Sequence, residues 1–443
     1  MASEARKHSA LFAGARGGVV ALLALLAQAA AGPAREAEIL HDFCGAAAGK
    51  CGYAANGPTM DGAGDLFGTA ANGGANGDGE IFELKRGAKN TYAFEILYTF
   101  CAAAHCKDGA HPVGSLIVDT SGNLYGATAG GGTYSAGEVF ELKSNAGNWA
   151  ISSLHNFCRQ PSCGDGASPG AGVTYQGAAS GAAYDGTSPL FGTTIDGRLR
   201  GNGVVYELVP GQGGWLETPL YTFCSQPNCA DGSAVMAPLV DDASGNLYGT
   251  ANGGGSNAHG TVFELSPSNN SWSETVLYNF CGAANCADGA SPQGGLVMDA
   301  FGNLFGVTPS GGNSCNYQNG GCGVLYEIVP DGTASTESVL HAFCARQDCA
   351  DGAIPYAAPV LDDSGNLFGT ADVGGSPYSH GGVVFVLSGP ALRTVHAFCS
   401  RDNCTDHVGP AAGIIRGPSG RLFGTTSGTN SPTMGATVYA LRP

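Results

Sequence analysis

Charge is what this sequence has least of. Charged residues fill 12% of its 443 positions, against about a quarter in ordinary globular chains. Lys and Arg number 19 against 36 Asp and Glu, a formal net charge of −17, which argues against a nucleic-acid partner because phosphate contacts need cationic side chains. Stretches free of helix breakers are also scarce. With 73 Gly and 22 Pro, at roughly 1 and about 3 kcal/mol per helix-interior position, a helix-rich fold is excluded. Long apolar runs are missing too: the stretch from Val19 to Ala31 covers 13 residues, short of the roughly 20 that cross a bilayer, and no transmembrane segment is expected. Nor is there a His-Glu-x-x-His, a phosphate-cradling loop before a helix, or an EF-hand spacing. Disorder is excluded by what is present, since 43% of residues are apolar and 19 Phe and 16 Tyr stand among them.

The N-terminus and the cysteines point to export. Arg6, Lys7 and Arg16 precede the apolar run, and Ala29-Ala30-Ala31 offers the small residues that a signal peptidase reads. Residues 1–31 are therefore expected to be a cleaved signal peptide, and residues 32–443 one domain in a secreted or periplasmic protein that acts as a monomer. Sixteen Cys fall into eight near-neighbour pairs: Cys44/Cys51, Cys101/Cys106, Cys158/Cys163, Cys224/Cys229, Cys281/Cys286, Cys315/Cys322, Cys344/Cys349 and Cys399/Cys404. An even count after an export signal reads as a set of local disulfides. Metal sites of four ligands would need a tighter Cys spacing and recurring His, so no metal is assigned to them.

A repeat organises the rest. Phe43, Phe100, Phe157, Phe223, Phe280, Phe343 and Phe398 each precede a Cys, at spacings of 57, 57, 66, 57, 63 and 55 residues. Leu-Tyr/Phe-Gly recurs seven times, from Leu66-Phe67-Gly68 to Leu422-Phe423-Gly424, and a run resembling Val-Phe/Tyr-Glu-Leu recurs seven times from Ile81 to Val438. A period of this size indicates a solenoid, a propeller or an array. One copy reads as four short antiparallel strands, within 115–119, 124–128, 138–143 and 149–157. The phase of the repeat then selects the propeller. The mature chain begins with a fourth-strand motif, Glu38 to Phe43, and ends with a third-strand motif, Thr437 to Leu441. Pairing the two closes a ring of seven four-stranded blades and removes two open edges.

The run Gly245-Asn246-Leu247-Tyr248-Gly249-Thr250-Ala251-Asn252-Gly253-Gly254-Gly255, followed by Gly260-Thr261-Val262-Phe263-Glu264-Leu265 and recurring along residues 38–443, resembles the GloVer tandem repeat of exported bacterial proteins. The resemblance implies export and a repeated β architecture. It carries no catalytic residues to transfer.

The loops after the fourth strand and those between the second and third strands are expected on one face, called here the upper face. Asp108, Asp165, Asp231, Asp288 and Asp351 follow the Cys loops there. A ring of such carboxylates suits Ca²⁺ or a cationic ligand; alternatively each caps its own turn. Trp149, Trp215 and Trp272 each precede their Phe by eight residues and read as packing. His41, His155, His341 and His396 share a slot with Tyr98, Tyr221 and Tyr278, so a catalytic or metal role is not expected of them. Positions that break the repeat are the candidates for ligand binding: Arg198, Arg200, His259, Tyr317 and His380. The expected function is an extracellular binding or structural module for a glycan or protein ligand. The alternative is a polysaccharide lyase or hydrolase, with Arg neutralising a uronate carboxylate while His or Tyr moves the proton.

Overall fold

The structure, a computed structural model, describes residues 36–44, 53–145, 147–197, 201–269, 271–314, 320–331, 335–375, 381–400, 408–428 and 435–443. Each repeat folds into one antiparallel sheet, and seven such sheets form a seven-bladed β-propeller. Blade 4 shows the plan, with an inner strand Val240–Asp241, then Leu247–Ala251, Thr261–Ser268 and an outer strand Ser271–Asn279. The inner strands are shorter than the sequence suggests in most blades, because they pair with the second strand only beside the turn, as in Val240↔Tyr248 and Asp241↔Leu247. In blade 2 the inner strand is longer and runs Ala110–Val118, with an irregular register between Val113 and Ile117. Among the described residues no helix is long and apolar enough to cross a membrane.

The ring closes as the offset motifs require. Glu38–Asp42 is the outermost strand of blade 7, antiparallel to Thr437–Leu441, with Glu38 opposite Ala440 and Asp42 opposite Thr437. Thr425 of blade 7 donates to the carbonyl of Ala55 in blade 1 (3.1 Å). The same threonine slot ties blade 3 to 4 through Thr193 and Ala237, and blade 4 to 5 through Thr250 and Gly294.

The apolar core divides into seven clusters, one at each blade interface. One aromatic pair recurs in all of them. The repeat Phe of one blade meets the third-strand aromatic of the next, tilted in Phe223 with Phe263 and edge-on in Phe100 with Phe140, Phe157 with Tyr206, Phe280 with Tyr326, Phe343 with Phe385 and Phe398 with Tyr439. Phe43 completes the set on Phe82 of blade 1, with ring centroids 5.1 Å apart. The Gly of Leu-Tyr/Phe-Gly belongs to this arrangement. A Cβ on Gly126 would stand 2.7 Å from the Phe140 ring, and Gly68, Gly192, Gly249, Gly306, Gly369 and Gly424 face their own third-strand aromatic in the same way.

Five local bridges are formed, Cys101–Cys106, Cys158–Cys163, Cys224–Cys229, Cys281–Cys286 and Cys344–Cys349. They close loops in which the cysteines themselves have positive φ, as do the residues before the second Cys, such as His105 and Asn285, a conformation disfavoured for residues with a Cβ. Cys44, Cys322 and Cys399 are also disulfide-bonded. Their expected partners Cys51, Cys315 and Cys404 lie outside the described residues.

Because the Gly249 Cβ position is already occupied by Phe263 and Leu239, Gly249→Ala is expected to cost about 1–3 kcal/mol by overpacking. Phe280→Ala is expected to cost about 3–5 kcal/mol by leaving a cavity. Gly213→Ala, at a position with open space and no positive φ, should stay within about 0.5 kcal/mol. Denaturant unfolding of the three variants measures the order.

Candidate functional site

The upper face carries the aspartates predicted from the sequence, and each is bound into its own loop. Asp231 accepts the Ser225 and Gln226 backbone N–H groups (2.9 and 3.3 Å) and the Tyr221 hydroxyl (2.9 Å). Asp108 with Tyr98 and Asp288 with Tyr278 repeat this pattern. Histidine takes the tyrosine's place in two further described pairs: His155 Nε2 lies 3.2 Å from Asp165, and His341 Nε2 lies 2.8 Å from Asp351. Asp165, Asp231 and Asp351 are fully buried and Asp288 nearly so. Tyr and His share the slot because either reaches the carboxylate ten residues on. Burial pushes the Asp351 carboxyl up, but His341 and the Ala345 and Arg346 N–H groups hold it below the usual range. Burial lowers the His155 imidazole more than Asp165 raises it.

Of the repeat-breaking candidates, Arg198, Arg200, Tyr317 and His380 lie outside the described residues. His259 is exposed, and its ring lies beside the Cys281 and Cys286 sulfurs, which are bonded to each other and offer no thiolate. The Trp residues pack at blade interfaces, Trp149 between blades 1 and 2, Trp215 between 2 and 3, and Trp272 between 3 and 4.

The channel on the ring axis is a cavity of about 330 Å³ to which every blade contributes, through Gly57, Ser115, Ala171, Met236, Gln293, Tyr356 and Gly413 among others. Its described lining holds no carboxylate, imidazole or cationic side chain.

A larger concavity of about 590 Å³ opens on the lower face, the face of the turns between the first and second strands. Sequence reasoning, fixed on the upper face, missed it. The signal was the 66-residue spacing between Phe157 and Phe223. Blade 2 joins its first two strands through 119–123, whereas blade 3 uses 176–189. This longer segment is anchored at both ends. Tyr184 is buried and packs edge-on against Tyr125 of blade 2 (5.1 Å), while its carbonyl accepts the Thr120 N–H (3.0 Å). On the other side Asp241 of blade 4 accepts the N–H groups of Gly177 and Ala179. The cleft below it has an aliphatic floor of Leu116, Ile117, Val118 and Met60 and a polar rim of Thr59, Asp61, Thr120 and Tyr175. Asp61 Oδ1 accepts the Ala63 and Asp65 N–H groups (both 2.9 Å). Its Oδ2 accepts no hydrogen bond among the described residues.

Ring and repeat define a propeller built from a single tandem unit. The Gloeobacter/Verrucomicrobia repeat matches residues 28–189 and 180–439, so the chain belongs to that family. No curated protein matches it. Solved structures that resemble it include a provisionally assigned 6-phosphogluconolactonase from Bacteroides uniformis (14% identity, TM-score 0.46, covering 81% of this chain and 88% of that one). Others are a provisionally assigned oxidoreductase (glucose dehydrogenase) from Thermus thermophilus (13% identity, TM-score 0.40, 74% and 96%) and a protein of unknown function from Dyadobacter fermentans (12% identity, TM-score 0.40, 88% and 96%).

Three further carboxyls sit at consecutive blade interfaces. Glu217, Glu274 and Glu337 each have a buried Oε1 with no hydrogen-bond partner. Burial, reinforced by Asp165, Asp231 and Asp288 respectively, pushes their pKa values up to about 8, 7 and 7. A carboxyl held above its unfolded value of 4.5 binds its proton more tightly in the folded ring. Its contribution to stability is then full below about pH 4.5 and lost as pH rises through 7 to 8. Thermal unfolding should show a melting temperature that falls across that window, and the triple variant Glu217→Gln, Glu274→Gln, Glu337→Gln should flatten the fall. An unchanged slope in the variant would assign the dependence to other groups.

Proposed function

We propose that this chain is an exported glycan-binding module whose lower-face cleft receives the ligand. The observation that carries the reading is the 176–189 segment of blade 3, which departs from the repeat and walls a concavity of ligand size. A volume of about 590 Å³ falls within the range of small-molecule sites. Its chemistry suits a sugar: aliphatic residues meet the C–H faces, and Thr120 and the unclaimed Asp61 oxygen meet hydroxyl groups. The export signal and the local disulfides support a secreted or periplasmic setting.

A glycan array on the purified chain, followed by calorimetry on the hits, tests this. Asp61→Asn keeps the oxygen that caps the turn and removes the acceptor facing the cleft. It is expected to weaken binding by roughly tenfold, the loss of one charge-assisted hydrogen bond, with little change in melting temperature. Replacing 176–189 by the short turn of blade 4 should abolish binding. No hit, or hits indifferent to both changes, would overturn the reading, and a protein ligand captured on the same face would replace it.

A further inference from the structure

At the seam where the ring closes, a second cavity of about 120 Å³ lies on the lower face between blades 7 and 1. Met60 borders both this cavity and the large cleft, so the two flank the inner strand of blade 1. Arg86, Asn90, Tyr92, Ser419, Arg421 and Phe423 line it.

Three of these break the repeat, each in a different slot. Arg421 stands where other blades carry Asn123, Asn246, Asn303 and Asn366, whose amides donate to the aspartate four residues earlier. In blade 7 that aspartate is Gly417. Arg86 takes the place of Pro210, Pro267 and Pro330, and Tyr92 the place of Trp149, Trp215 and Trp272. The repeat folds without any of the three, yet they converge on one small cavity in a chain that holds only 19 Lys and Arg.

Their donors are directed and largely unused. Arg421 is only 7% exposed, rests over the Phe423 ring at 5.2 Å, and gives one N–H to the Glu38 carboxylate. Its other four N–H groups find no acceptor among the described residues. Arg86 gives Nε and Nη2 to Asn90 Oδ1 (3.2 and 2.7 Å) and keeps Nη1 free. The Tyr92 hydroxyl bonds to no described residue. Burial raises its pKa, against the pull of Arg421 and Arg86, so it stays a donor beside two cations. The opposing charges are Asp65, which accepts the Arg86 backbone N–H (2.6 Å), and Glu38, whose side chain is more than half exposed.

We infer that this cavity seats a carboxylate of the ligand, held by Arg421, Arg86 and Tyr92, and that the glycan it serves is one bearing a uronate. Guanidinium matches a planar carboxylate with paired N–H bonds, and Glu38 already places a carboxylate on Arg421 from the outside. The glycan reading above supplies only the carrier of the anion; the seat itself rests on these three residues.

Calorimetric titration with a uronate disaccharide, its carboxyl-reduced counterpart and inorganic sulfate decides the matter. Arg421 also pairs with Glu38 of the ring-closing strand, so the variants are Arg86→Gln and Tyr92→Phe. The acidic sugar is expected to bind roughly tenfold more tightly than the reduced one. That preference should weaken between about 50 and about 500 mM NaCl and shrink to near parity in both variants. Equal binding of the two sugars, or a preference untouched by either variant, overturns the seat, and if neutral glycans still occupy the cleft the glycan reading survives it. A preference lost in Arg86→Gln, with no neutral glycan bound by the cleft, upholds the seat and removes the cleft reading. Sulfate binding as tightly as the uronate overturns the sugar assignment in favour of an inorganic anion.

Discussion

Everything in this ring depends on an aromatic side chain lying flat over a glycine. In each blade the third-strand Phe or Tyr covers the Cα of the second-strand Gly, and the repeat Phe of the preceding blade packs against that same ring, edge-on in all but the tilted Phe223 pair. The absent Cβ lets the aromatic lie close to its own sheet, and the neighbouring sheet gains an apolar floor at a fixed height. Edge-to-face pairs contribute about 0.5–1.5 kcal/mol beyond their area. Repeated at seven interfaces, the pair sets blade spacing and hence the number of blades that closes. The disulfides act on upper-face loops whose backbone enters the left-handed region, and at the blade 5–6 interface Cys322 and Cys349 reach into the core itself.

The architecture was legible because it is written in residues that only packing explains. Phe43 and Val438 belong to the same interface, and the matching motifs at the two ends of the chain imply as much. The slot shared by Tyr221 and His155 was legible as one structural position, and the hydrogen bonds display what each does there: it serves the aspartate ten residues later. The site was less so. Attention to loops near the cysteines led to Arg198, Arg200, Tyr317 and His380, which stand outside the described residues, and to His259, which sits alone among disulfide sulfurs. Residues 176–189 had been visible only as a longer interval between phenylalanines. Interval length says that chain is inserted; it does not say which face receives it or that Tyr184 folds it back onto Tyr125.

The two faces of the ring therefore divide their roles. Among the described residues the upper face repeats one solution in five blades, a capped and bridged loop. The lower face varies. Its turns hold the Asp-x-x-Gly-Asn hydrogen bonds in four blades, an acidic variant at Asp61 and Asp65, the long segment of blade 3, and the Arg421 turn of blade 7. Variation confined to turns leaves the interfaces untouched, so binding chemistry can change there at little expense to the core.

The outer strand of blade 7 comes from residues 38–42, and its partner from 437–441. Among the strands of the ring this one is synthesised ahead of the others and thus has no partner until the last repeat has followed it. Six sheets can form from neighbouring segments, by contacts that are local within each repeat, but the seventh requires a loop of almost the full chain to close, the slowest kind of contact to find. During that wait Glu38–Asp42 is a bare edge that other chains could join. Carboxylates at Glu36, Glu38 and Asp42 put like charge along it, and repulsion between copies keeps the edge open for its partner strand in the last repeat.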